Sequence, residues 1–456
     1  MKINKITSAL VAMGIVSLAS AANANTVIYL TGSTAARAII YSACTTSGQV
    51  FSGTSTVVSA NNSSGASQIV YEGAITGITG TVDIDCDFTG SEAGIAAVAG
   101  QNDTTEPALG QSVNGGTFSL PGIPPAFLTE GSSWATASTL PIAGGVSTPD
   151  LTMADTSQAV SLTPTTVAAL HSFGIVGVVP FTFMKGYEKT PDSTWTNVVN
   201  VSTPVFNAFV SNHNTANYFT GNTNDVNDFV LIVGRNKGSG TRVNALLNAA
   251  QYPIGNSVDQ FAYANYPEGS GTLTFSGSYA AGQGIFGVGN DGFDSGGGVQ
   301  STLNVDSTVA SPSPSNPAYV LVGYLGLSDA AHAFADNNTG AGGSGSATGS
   351  GPAAFLTFNG VYESDAAVES GAYTFWGSEH LYGAVTPSAI DTTVGQALAS
   401  GIATNLISNK DGLATGAVGP VYTTQSIVIP TALMSVSRAD LDNGFPVPVG
   451  LGNFNE

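Results

Sequence analysis

An apolar run, Phe229-Val230-Leu231-Ile232-Val233, passes directly into Gly234-Arg235-Asn236-Lys237-Gly238-Ser239-Gly240-Thr241-Arg242, and then into Val243-Asn244-Ala245-Leu246-Leu247-Asn248-Ala249-Ala250. The first run reads as a buried strand and the last as a helix, so the stretch between them is a strand-to-helix turn. Gly238 and Gly240 let the backbone approach a guest closely. Ser239 and Thr241 place hydroxyls where the first amides of a helix lack partners, a setting that suits an anion. Arg235 adds a charged planar fork of donors that matches an oxyanion such as phosphate. The chain has only 10 Lys and Arg, and three of them, Arg235, Lys237 and Arg242, stand here. Taken alone, the stretch reads equally as a solvated Gly/Ser loop.

The same strand, small-residue turn and helix recur upstream. Thr26 to Leu30 reads as a strand, Thr31-Gly32-Ser33-Thr34 as a turn and Ala35 to Ala43 as a helix, so the Thr34 hydroxyl either faces an anion or caps a helix. Val82 to Phe88 alternates like a strand, and Thr89-Gly90-Ser91-Glu92 opens another helix, with Ser91 as a further hydroxyl and Glu92 matched to the helix dipole. Pro149 to Asp155 brings a short strand with a carboxylate at its end; Asp155 is either a site acid or an ordinary turn residue. Between them, residues 100 to 148 are rich in Gly, Pro, Ser and Thr and read as an insertion.

Farther along, Phe173 to Met184 is a strongly apolar, strand-like run containing Pro180, of the kind that passes between lobes. Thr203 to Asn214 reads as a helix with Phe206 and Phe209 as core contacts, Tyr319 to Leu325 as a strand, Leu327 to Ala335 as a short helix and Thr392 to Ser408 as a final helix. Residues 262 to 311 read as turn-rich, and 339 to 352 as a flexible loop. Asn290 to Ser295 has closely spaced oxygen ligands, but the full twelve-residue calcium loop is missing, and no metal is assigned. The aromatic density of Tyr373 to Tyr382 reads as packing. Strands alternating with helices predict an α/β fold of mixed, mainly parallel sheets flanked by helices.

Residues 1 to 24 read as a secretion signal: Lys2 and Lys5, an apolar Ala9 to Leu18, and the small-x-small Ala22-Asn23-Ala24. The mature chain is then expected to begin at Asn25, exported to the periplasm or beyond. The formal net charge of −20 disfavours nucleic acid and anionic membrane as partners, because both need basic surface. An anion site in so acidic a chain has to work through local dipoles and contact charges. Cys44 and Cys86 are the only cysteines; in an oxidising compartment they read first as one disulfide, with two buried thiols as the alternative.

Together these pieces resemble, in order over most of the mature chain, the periplasmic phosphate-binding proteins of phosphate ABC transporters and their secreted relatives. Gly32-Ser33-Thr34 is similar to the family's first turn, and Gly90-Ser91 to its second. Asp150 to Asp155 resembles its Asp-x-x-x-Ser-Asp segment, with Ala154 where Ser is usual. Arg235-x-x-x-Ser239-Gly240-Thr241 matches its most specific signature, and Tyr373 to Tyr382 the aromatic return to the first lobe. The resemblance implies a two-lobed, hinged type 2 binding protein, with 26–176 plus 373–456 as one lobe and 177–372 as the other. Its phosphate contacts would be Thr34, the Ala35 amide, Ser91, Asp155, Arg235, Ser239, the Gly240 amide and Thr241. Where the family often has Phe-Pro after the first Thr, this chain has Ala35-Ala36-Arg37; Arg37 either reaches the anion as a second charge or pairs with an acid.

Implied with the resemblance are a monomer, an ABC transporter permease as partner, no cofactor and no membrane insertion. Two other functions fit parts of the sequence. A secreted phosphatase would need a nucleophile and usually metals, whereas His171, His213, His332 and His380 are scattered and form no metal-binding pattern. A surface or matrix protein with a vestigial pocket would suit the low charge and the high Gly, Ser, Thr and Asn content.

Overall fold

Fifteen residues, HSFGIVGVVPFTFMK, form the longest strand among the described residues, and its two ends have different neighbours. A computed structural model of the chain describes residues 25–59, 61–100, 110–113, 116–119, 148–161, 169–188, 190–211, 215–254, 258, 260, 293, 295–304, 319–335, 351–409, 426–438 and 446–448. In chain order the strands are β1 (Thr26–Gly32), β2 (Thr56–Val57), β3 (Gln68–Gly73), β4 (Val82–Asp87), β5 (Gly110–Val113), β6 (Gly116–Ser119), β7 (Leu151–Ala154), β8 (His171–Lys185), β9 (Asn200–Val201), β10 (Phe229–Val233), β11 (Tyr319–Gly326), β12 (Ala354–Phe358), β13 (Trp376–Gly383), β14 (Val436–Arg438) and β15 (Pro446–Pro448). Eleven of them make one sheet in the order β10-β11-β8-β13-β7-β1-β4-β3-β2, with β12 also on β8 and β9 on β12.

β8 pairs with β13 from His171 to Pro180 and with β11 and β12 from Phe181 to Lys185. Pro180, which has no N–H to donate, stands where the ladder changes partner. Val178, Val179, Phe181, Phe183 and Met184 are fully buried, so the strand reads as a continuous apolar run because both its faces are covered. The Phe183 ring lies 4.9 Å from both Phe206 and Phe375, an aromatic knot that fastens β8 to the Thr203–Ser211 helix and to the segment entering β13.

The α/β class agrees with the alternation in the sequence, but the sheet is mixed rather than mainly parallel. β1 runs parallel to both β4 and β7, and β10 parallel to β11. The centre is antiparallel, because β8 and β13 run against each other and β13 runs against β7. Parallel neighbours place their C-terminal ends on one edge of the sheet, and in open α/β sheets that edge is where ligands bind. The turns after β1, β4 and β7 therefore converge. Only β5 and β6, a short antiparallel pair, are described within residues 101–147; calcium at 290–295 and the signal at 1–24 fall largely or wholly outside the described residues.

Two expectations are corrected here. Cys44 and Cys86 stand as free thiols, not a disulfide. Each points into the apolar core between the Arg37–Thr45 helix and the sheet, where a thiol serves as a small hydrophobe, and burial pushes both thiols above their ordinary range. The turn-rich reading of 262–311 missed a helix, Gly296–Leu303, whose three leading glycines carry poor local propensity; Val299 and Leu303, fully buried against β11, hold it in place.

A buried acid away from the strand tips yields a stability prediction. Burial, and then the neighbouring Asp365, raise Glu363 to about 8. Its Oε1 meets no partner among the described residues. The folded state thus holds a proton that the unfolded chain releases near the ordinary carboxylate value. Stability is fully present below that value and is lost as pH rises through about 8. Calorimetric melting should fall from pH 5 to pH 8. Glu363→Gln should remove a few kcal/mol of that decline, since each tenfold difference in proton affinity between folded and unfolded chain is worth roughly 1.4 kcal/mol.

Candidate functional site

The C-terminal ends of β1, β4 and β7 set up one side of the site. Gly32 takes φ +109°, a conformation that favours glycine, and turns the chain beneath the β7 tip, where Ser33 N donates to Met153 O at 2.8 Å. Thr34–Ala36 then forms a 3-10 turn leading into the Arg37–Thr45 helix. After β4, the Ser91–Val98 helix starts with Ser91 at its first position. Asp155 follows β7 directly and is 1% exposed. The Ser91 hydroxyl donates to Asp155 Oδ1 at 2.6 Å and accepts from the Asp155 amide at 3.2 Å, so the two residues fix each other. Burial pushes the Asp155 carboxyl above the usual range, against the pull of Ser91 and of the Arg235 charge.

β10 delivers the other side. Arg235 N donates to the Tyr324 hydroxyl at 3.0 Å, that hydroxyl donates to Gln260 Oε1 at 2.8 Å, and Gln260 Nε2 donates back to Arg235 O. This closed loop of bonds holds the turn rigidly. The Arg235 side chain is buried, its Nε donates to Phe293 O at 3.2 Å, and one Nη reaches the Thr34 hydroxyl at 3.5 Å. Asp329 and Asp155 favour its charge against the cost of burial. Ser239 caps the short Gly240–Asn244 helix, its Oγ accepting from Arg242 N at 3.3 Å, and a π turn, Ala245–Ala250, continues it. Gly240 and Thr241, as the first two residues of that helix, have amides with no intrahelical acceptor.

The two sides touch. Gly238 O accepts from Glu92 N at 3.1 Å, and Asn244 Nδ2 donates to both Gly240 O at 3.1 Å and Asp155 O at 2.7 Å. A Cβ on Gly240 would overlap the Asp155 carboxylate and crowd Ser91. Gly240→Ala should therefore force the sides apart and weaken anion binding about a hundredfold, equivalent to about 2.7 kcal/mol. Titration calorimetry checks this, with circular dichroism as the control for folding.

The structure thus joins Thr34 to Arg235, and Ser91 and Gly240 to Asp155, with Arg235 and Asp155 in electrostatic reach of each other; Ala35 is next to Thr34, and Ser239 and Thr241 flank Gly240. Arg37 stands within electrostatic reach of Arg235. Its Nε donates back to Thr34 O at 2.8 Å and one Nη donates to Gly65 O at 2.9 Å, so it braces the first turn. Sequence reasoning missed Tyr324, Asn244, Asp329 and Glu379. Asn244 lies four residues past Gly240, one helical turn away, which was a readable signal; Tyr324 and Glu379 sit inside apolar runs that read as packing. Among the described residues no group of His, Cys, Asp and Glu could hold a metal ion, and no helix is long and apolar enough to cross a membrane.

A guanidinium, hydroxyls from two sides, helix-start amides and one acid are the complement of a partly protonated tetrahedral oxyanion. The chain is similar in fold to solved phosphate-transport proteins. One, assigned as a phosphate ABC transporter substrate-binding protein and holding phosphate, is from Clostridium perfringens: 11% identity, TM-score 0.38, 83% of this chain and 93% of that one. An ABC-type phosphate transport receptor from Vibrio cholerae gives 11%, 0.39, 84% and 97%. PstS from Borrelia burgdorferi gives 11%, 0.31, 81% and 91%. No protein-family description matches the chain, and no curated protein does. At this degree of likeness, the chain's own side chains have to carry the function.

Proposed function

We propose that the chain is an exported solute-binding protein that closes on one inorganic phosphate. The observation that carries this reading is the burial of Arg235 and Asp155 within electrostatic reach of each other, at the tips of strands from two sides, with Thr34 bridging toward Arg235. In this reading Arg235 neutralises most of the phosphate charge through charge-assisted hydrogen bonds. Thr34, Ser239, Thr241 and the amides of Ala35 and Gly240 take the remaining oxygens, while Ser91, whose one hydroxyl proton goes to Asp155, orients that acid. Asp155 accepts the ligand's own proton.

The two lobes, 26–176 with 373–456 and 177–372, open and close about β8, whose first half pairs with β13 and whose second half pairs with β11 and β12. Export through the signal at 1–24 and delivery to an ABC transporter permease by a monomer complete the reading. Calorimetry on the purified mature protein tests it: saturable 1:1 binding of inorganic phosphate is expected, and absence of heat at millimolar phosphate removes it.

A further inference from the structure

Beneath the strand tips lies an acid that the reading above does not use. Glu379 on β13 is fully buried, and the only hydrogen bond its carboxyl makes among the described residues is from the Ser33 hydroxyl to Oε2, at 3.3 Å. Oε1 meets no donor there at all. Ser33 immediately precedes Thr34, so this carboxyl adjoins the first turn of the site. It also lies within electrostatic reach of Asp155. The β8–β13 ladder shifts register between Glu379 and His380, an irregularity of the kind that re-aims side chains beside functional sites. A buried carboxylate with one weak donor costs several kcal/mol, so a fold keeps such a group charged only where a cation meets it. The groups around it give no such cation of its own: Ser33 is neutral, Asp155 repels it, and the charges of Arg235 and His380 act on Asp155. Glu92, the other buried acid nearby, accepts from Thr156.

We propose that Glu379 is a second acid of the anion site, resting on the phosphate reading: it stays protonated and donates a hydrogen bond from Oε1 to a ligand oxygen. Asp155 accepts the ligand's proton while Glu379 supplies one, so the site holds two carboxyls in opposite roles. This is the usual outcome when like charges share a buried space. Burial and Asp155 both push the Glu379 carboxyl far above its ordinary range, in keeping with that state.

Phosphate-induced difference infrared spectroscopy on the wild-type protein tests this directly, alongside calorimetry from pH 7 to pH 9.5. A protonated-carboxyl band that shifts on phosphate addition and is missing in Glu379→Gln is expected. Glu379→Gln keeps a donor, so its phosphate affinity should stay within about tenfold of wild type, and whatever part of the alkaline decline belongs to Glu379 should vanish; Glu379→Ala should lose about a hundredfold at every pH, the range for an unmade bond to a charged ligand. A carboxyl band that is absent, or unmoved by phosphate, overturns the assignment even if Glu379→Gln fails to fold. Phosphate binding by wild type together with an unmoved band leaves the phosphate reading standing and removes this one. No binding by wild type removes both.

Discussion

If the chain closes on phosphate as proposed, Arg235→Ala is expected to abolish binding at micromolar ligand, a loss of about a thousandfold or more. Arg235 is 3% exposed, and its backbone is tied into the loop of bonds through Tyr324 and Gln260, so its charge is held at a fixed, buried place. Removing one partner of a buried charge pair costs about 3 to 5 kcal/mol, and about 4 kcal/mol corresponds to the thousandfold. Arg235→Lys keeps the charge but gives up the planar fork that holds Phe293 O on one side and reaches Thr34 on the other, so it should recover only part of the affinity. Titration calorimetry reads both variants, and a melting curve shows that each is folded. Binding by Arg235→Ala within tenfold of wild type would put the anion elsewhere.

The second large effect concerns selectivity. Asp155 is held in place by Ser91, and its carboxylate lies against Gly240, so it cannot turn away from a guest. Facing HPO₄²⁻ or H₂PO₄⁻, it accepts the ligand's proton. Sulfate brings no proton at neutral pH and leaves two oxygens opposed, a buried mismatch that costs several kcal/mol. Asp155→Asn replaces the opposed acceptor by a donor. Sulfate competition against bound phosphate should then rise by about a hundredfold or more, close to 3 kcal/mol. Unchanged selectivity would take Asp155 out of the site.

Much of this site is legible in the sequence because strand–turn–helix junctions are local. Val82–Asp87 leading to Ser91 announces itself through alternation, and Phe229–Val233 leading to Ser239 and Gly240 through an apolar run, each followed by small residues. A helix that local propensity disfavours, such as Gly296–Leu303, does not, because only the packing of Val299 and Leu303 makes it stable. The cysteines show the same limit. Their number and an exported context favour a bond, but burial in one apolar core is equally open to free thiols, and only three-dimensional placement chooses.

The aromatic return segment marks the boundary most clearly. Tyr373, Phe375 and Trp376 are core, as their composition implies, yet Glu379 three residues on sits under the first turn beside Ser33. By itself the sequence determined which short turns could present amides and hydroxyls to an anion, since helix starts and glycine turns are set by neighbouring residues. Tertiary structure alone decided that Arg235 meets Thr34, that Gly240 lies against Asp155 and that Arg37 reaches Gly65. Those contacts join residues tens to hundreds of positions apart, and no local preference encodes them; they follow from parallel strands ending on one edge and from the long strand β8 tying the two sides together.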